Sequence, residues 1–136
     1  MHWTASQIAI CFIGVLHLSF MIGELYPWKH PWIMASVLRK WPQRLDLSAA
    51  DTNFVAMVVH NAGIYNGIVA AGLFVAAFAG PVAFPIQIVL LAGGVVAGLF
   101  GAKTLTVMTI GQAIFGAIAA SAASSRAIGT SCSCPI

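Results

Sequence analysis

The sequence predicts an all-α fold, an integral membrane four-helix bundle with short loops, in one transmembrane domain over residues 1–136. Composition carries the first half of this reading. Hydrophobic residues make up 60% of the chain and charged ones 7%, where a soluble domain carries about 25% charged residues. Six Lys/Arg and three Asp/Glu cannot cover a globule of this size with solvated surface, so lipid is its natural solvent. Spacing carries the second half. A transmembrane helix needs ~20 apolar residues, and polar or proline-containing breaks divide the chain into four such stretches.

The first span is expected over 6–26, ending at Pro27. Its start, Met1-His2-Trp3, has no basic stretch, so no cleavable signal peptide is expected. A wet segment follows, holding Lys29, Arg39, Lys40 and Arg44 beside Trp28, Trp32 and Trp41, with Pro31 and Pro42. Tryptophans next to basic residues read as an interfacial belt with snorkelling cations. Ser48 or Asp51 is placed to cap the second helix, because a side-chain oxygen there accepts from its free N–H groups. That helix spans 52–79. The break from Gly80 to Pro85 is too apolar for a soluble loop and reads as a tight turn at the membrane surface. The third span covers 86–102, Lys103 and Thr104 mark the next turn, and the fourth span covers 105–123.

Four spans put both termini on one side. The first and third loops carry five Lys/Arg (Lys29, Arg39, Lys40, Arg44, Lys103) and the other side only Arg126. The positive-inside rule then makes loop 27–51 cytoplasmic and leaves both termini outside. The pI of about 9.0 is therefore a topology signal, and no nucleic-acid partner is expected. Cys11 reads as a small core hydrophobe. Cys132 and Cys134 have no nearby His or further Cys, which suits surface thiols or a lipidated tail better than a metal site.

Gly63 and Gly67, and Gly94 and Gly98, are small-xxx-small pairs that let backbones approach closely where lipid supplies no hydrophobic drive between helices. Gly93, Ala97 and Gly101 add to the second pair. Packing within the chain is the first expectation for them, and a homo-oligomer interface the second.

Polar side chains in hydrocarbon are costly and mark a partner, a cavity or a cofactor. Here they are His17 and Glu24, His60, Asn61, Tyr65 and Asn66, Gln87, and Gln112. Counting ~1.5 Å per residue from the expected helix ends puts His17, His60 and Gln112 roughly 12–14 Å from the cytoplasmic edge, in one polar layer. Asn66 lies about 9 Å deeper, and about 120° around the helix from His60. Three readings stay open: a buried hydrogen-bonded pair such as His17 with Gln112, haem ligation by one His or both, or a proton or ion path that includes Glu24. Zinc lacks a third ligand at that depth. His30 reads as a solvated interfacial residue, and Glu24 as snorkelling or pairing with Lys29 or Lys103. No Walker loop, GxSxG, HExxH or dinucleotide glycine motif is present, so hydrolases, kinases and dehydrogenases lose their usual marks.

Two resemblances bear on function. The stretches from His17 to Glu24, from Asn61 to Leu73 and from Val96 to Thr104 resemble a family of small bacterial four-helix membrane proteins of unknown function. That resemblance implies the fold and a bacterial inner membrane, and no activity. His60, followed after five residues by Asn66-Gly67 and an Ala-rich helix half, is similar to the styrene oxide isomerases, membrane enzymes that bind haem b and rearrange an aryl epoxide to an aldehyde. The likeness implies His60 as the iron ligand and Asn66 as a substrate-orienting amide. Tyr65 joins Asn66 as a catalytic candidate, with His17, Asn61 and Gln112 near the haem. Those enzymes carry a tyrosine near the end of the third helix, where this chain has Phe100. The function expected on this likeness is a haem-b isomerase acting on a small lipophilic epoxide, as a homo-oligomer. The alternatives are a non-enzymatic membrane scaffold or accessory subunit, or a bis-histidine haem electron carrier using His17 and His60.

Overall fold

The computed structural model describes residues 3–27, 30, 32, 48–104 and 107–131. Among these residues there are four α-helices and no strand: α1 (Ala5–Leu25), α2 (Ala49–Phe78), α3 (Phe84–Thr104) and α4 (Ile110–Ser131). Three stretches, Ala5–Leu25, Asp51–Phe78 and Phe84–Thr104, are long and apolar enough to cross a membrane, and α4 contributes a shorter apolar stretch, Ile110–Ser125. The class is the expected one, an all-α membrane-type bundle of four helices. The interfacial residues Trp28, Lys29, Arg39, Lys40, Trp41 and Arg44, and the tail with Cys132 and Cys134, lie outside the described residues.

Local chemistry sets the helix ends. Thr4 begins α1 with a capping box: its hydroxyl accepts from the Gln7 N–H, and the Gln7 side chain accepts from the Thr4 N–H at 3.0 Å. Ser48 begins α2 by accepting from the Asp51 N–H at 3.2 Å, so Ser48 is the cap and Asp51 its partner. Gly80, at φ 74°, makes the turn between α2 and α3, a left-handed conformation that side chains with a Cβ resist. The fourth helix starts at Ile110 rather than at 105, because Val107–Thr109 form a 3₁₀ turn first.

A helix that ends in a membrane leaves carbonyls which water cannot reach. At the end of α2 three of them are satisfied in turn. Ala79 N–H donates to Val75 O (3.1 Å), Gln87 Nε2 of α3 donates to Ala76 O (2.7 Å), and Gln7 Nε2 of α1 donates to Ala77 O (3.2 Å). This accounts for Gln87, a buried amide on an otherwise apolar helix.

The core is small. Ile10, Ile13, Leu73, Ala77, Leu91, Ala119 and Ala123 form it. α1 packs antiparallel on α2, with Gly67 against Met21 and Gly63 against Glu24 and Leu25. α3 packs on α4 through Gly98, whose Cβ would stand 2.6 Å from Ala113 N, and Gly101, which lies against Thr109. Phe12 of α1 meets Phe115 of α4 edge-on, with ring centres 4.9 Å apart. Both small-residue pairs are thus used inside the chain. The surplus on the third span that suggested an oligomer interface is largely absorbed by α4, although Gly93 has nothing within 4 Å of its Cβ position.

Candidate functional site

The packing of α2 and α4 on α1 brings four polar side chains into one series. His17 and Glu24 are seven residues apart, which is about two turns and one face of α1. Asn66 of α2 enters between them. Its Nδ2 donates to Glu24 Oε2 at 2.8 Å, and its Oδ1 lies 2.8 Å from His17 Nδ1. An amide oxygen only accepts, so His17 Nδ1 carries the ring proton and donates it. His17 Nε2 is then an acceptor, and Gln112 Nε2 of α4 stands 3.3 Å from it as donor. α3 closes the fourth side with Gly94, where a Cβ would lie 3.5 Å from His17 Nε2. His17 is only 3% exposed, and its ring meets Phe20 edge-on.

The series fastens α1 to α2 and α4 at the depth expected for the polar layer, since His17 lies about 12 Å from the α1 C-terminus. His17 and Gln112 are joined as the sequence suggested. Half-buried Glu24 finds a partner in Asn66 of the facing helix.

His60 is not part of that layer, which corrects the depth count. Gly63 already lies against Leu25, the last residue of α1, and α2 runs the opposite way, so His60 falls about one turn beyond the end of α1. Counting from the expected start of α2 puts it level with His17. In fact α2 runs on well past its partner, 30 residues against 21. His60 is half-buried, and its imidazole takes part in no hydrogen bond among the described residues. Asn66 points about 120° away from it, toward α1. Asn61 and Tyr65, the latter 62% exposed, share the outer face of α2 at i, i+4 spacing. Phe100 is exposed on α3.

For haem, these positions divide the candidates. His60 offers an imidazole with no hydrogen-bond partner among the described residues and would suit the role of iron ligand. His17 does not fit that role, because both ring nitrogens are engaged. Asn66 likewise has both amide atoms engaged on a different face. Among the described residues, no group of three or more His, Cys, Asp or Glu is placed to hold a metal ion.

Fold and site together define an all-α, membrane-type bundle with a satisfied polar series at its centre. A family model described as "Protein of unknown function (DUF1304)" matches residues 11–124, and the chain belongs to that family. The matched stretch contains His17, Glu24, His60, Asn66 and Gln112. No curated protein matches the chain. No solved structure matches it.

Proposed function

We propose that the chain is a non-enzymatic membrane scaffold or accessory subunit, in which the polar layer fixes the relative positions of the helices. The observation that supports this reading is the closed pairing of the buried polar side chains. His17, Asn66, Glu24 and Gln112 satisfy one another, while Gln7 and Gln87 satisfy the end of α2. Inside a membrane such pairs hold helices together at about 0.6 kcal/mol each, reaching about 1.7 kcal/mol at most. The outward apolar side chains, among them Val75, Val89 and Val96, meet the bilayer or a partner membrane protein.

A second reading is favoured by His60. A half-buried imidazole on a membrane helix, without a hydrogen-bond partner among the described residues, suits the axial ligand of haem b. By likeness to the styrene oxide isomerases, the bound iron would act as a Lewis acid toward a small apolar epoxide. This chain's own part would be His60 as ligand, with Asn66 holding His17 and Glu24 in place. Assembly as a homo-oligomer, through the outward face with Gly93 and Ala97, belongs to the same reading. So does the inner membrane of a bacterium as its location.

The absorbance spectrum of the purified protein separates the two readings. Protein expressed with a haem precursor in the medium and purified without a Soret band supports the scaffold. A Soret band that His60→Ala removes at unchanged expression supports the isomerase and sinks the scaffold reading.

A further inference from the structure

A carboxyl, two primary amides and an imidazole stand in series across α1, α2 and α4, and each link has a direction. An amide offers one accepting atom and one donating atom, and a neutral imidazole offers one of each. With Glu24 ionised, its oxygen accepts from Asn66 Nδ2, Asn66 Oδ1 accepts from His17 Nδ1, and His17 Nε2 accepts from Gln112 Nε2. The state at one end therefore sets the orientation at the other.

From this polarity we infer that the series is a one-proton switch. Uptake of one proton turns over the Gln112 amide on α4, whether His17 holds that proton or Glu24 presents it to Asn66. A protonated Glu24 keeps one accepting oxygen, but when it presents its hydroxyl to Asn66 the amide turns and accepts with Oδ1. Asn66 Nδ2 then faces His17 Nδ1, which must be bare, so the ring loses its Nδ1–H bond and gains one Nε2–H bond, remaining neutral. Gln112 meets that N–H with Oε1. A proton on His17 instead makes both ring nitrogens donors; Asn66 stays as it is, and Gln112 again presents Oε1. The proton comes from water at the membrane surface by way of half-buried Glu24, near the end of α1. No electron moves and no bond between heavy atoms changes.

Burial makes the turn compulsory at His17. Two donors facing each other in hydrocarbon have no water to turn to, and an unsatisfied polar group there costs several kcal/mol. The groups around His17 supply no other hydrogen-bond acceptor. Phe20 of α1 stands perpendicular to the ring, Asn66 of α2 presents an amide, Gly94 of α3 no side chain, and Gln112 of α4 an amide. Glu24, linked through Asn66, is the titratable side chain that this series joins to His17. Gln112 Nε2 lies 3.8 Å from the Cβ position of Gly94, so turning the amide exchanges nitrogen for oxygen against α3. A proton taken up at the end of α1 is thus felt where α3 meets α4. The switch rests on the hydrogen bonds alone and is independent of the scaffold reading.

The test is magnetic resonance of the isotope-labelled full chain in lipid nanodiscs across pH. It follows the His17 ring nitrogens, the Gln112 side-chain amide and the Glu24 carboxyl carbon. At alkaline pH, His17 should be protonated at Nδ1 and bare at Nε2. On acidification the His17 and Gln112 signals should shift together, with one midpoint. In Asn66→Leu the Glu24 signal should titrate apart from that of His17. Nε2 protonation at alkaline pH overturns the proposal. So does a Gln112 signal unmoved while His17 shifts, or flat His17 and Glu24 signals over the whole stable range. These wild-type outcomes decide the matter even where Asn66→Leu does not fold.

Discussion

His17 and Glu24 stand two turns apart on one face of α1, and the Asn66 amide fills the space between them, 2.8 Å from each. Removing that amide leaves two polar groups in hydrocarbon without their partner. Asn66→Leu should therefore destabilise the protein by about 1–3 kcal/mol, the cost of buried groups left unsatisfied. Asn61→Leu, on the exposed outer face, should stay within about 0.5 kcal/mol of the parent. Reversible unfolding in mixed detergent micelles measures both. Equal effects would mean that Asn66 holds nothing.

The end of α2 gives a second expectation. Gln87→Leu keeps the bulk of the side chain but strands the Ala76 carbonyl, which Gln87 caps at 2.7 Å. The same unfolding measurement should show a loss of about 1–3 kcal/mol. Amide hydrogen exchange should rise in the last turn of α2 and stay unchanged around His17.

The glycines of α3 separate by clearance. An alanine Cβ at Gly98 would meet Ala113 N at 2.6 Å, a backbone atom that cannot move alone, whereas at Gly94 the nearest atom is 3.5 Å away. Gly98→Ala should push α3 from α4 and lower stability by about 1–3 kcal/mol, while Gly94→Ala should be tolerated. Because this contact lies within one chain, Gly98→Ala should lower stability at constant oligomeric state in native mass spectrometry.

Much of this was legible in the sequence. The four helices follow from the apolar stretches and their breaks, and the Ser48 cap from its side chain. The expected end of α1 nearly coincides with the real one, and Gln112 falls at the depth of His17 although α4 begins only at Ile110, after the Val107–Thr109 turn. His60 was misplaced because α2 extends beyond the end of α1, and a run of apolar residues does not announce where its neighbour stops. Asn66 was read with His60 along one helix, whereas its hydrogen bonds run across to α1. That contact depends on the α1–α2 register, which Gly63 and Gly67 set by close approach and no single-helix pattern reveals. The bond from Asn66 to Glu24 is hidden from a single-helix reading for the same reason.

The orientation expected from the Lys/Arg distribution is open to direct labelling. A membrane-impermeant thiol reagent should leave a cysteine introduced at Ser36 unlabelled in intact cells and reach Cys132 or Cys134. The reverse pattern would invert the topology and leave the bundle as it is.

The most direct measurement is the coupling energy between His17 and Asn66. A double-mutant cycle of His17→Leu, Asn66→Leu and the combined variant, read by reversible unfolding in micelles, isolates that one link. A polar series that holds α1 to α2 predicts a coupling of about 0.6–1.7 kcal/mol, the double variant losing less than the two singles together. Strict additivity would contradict it.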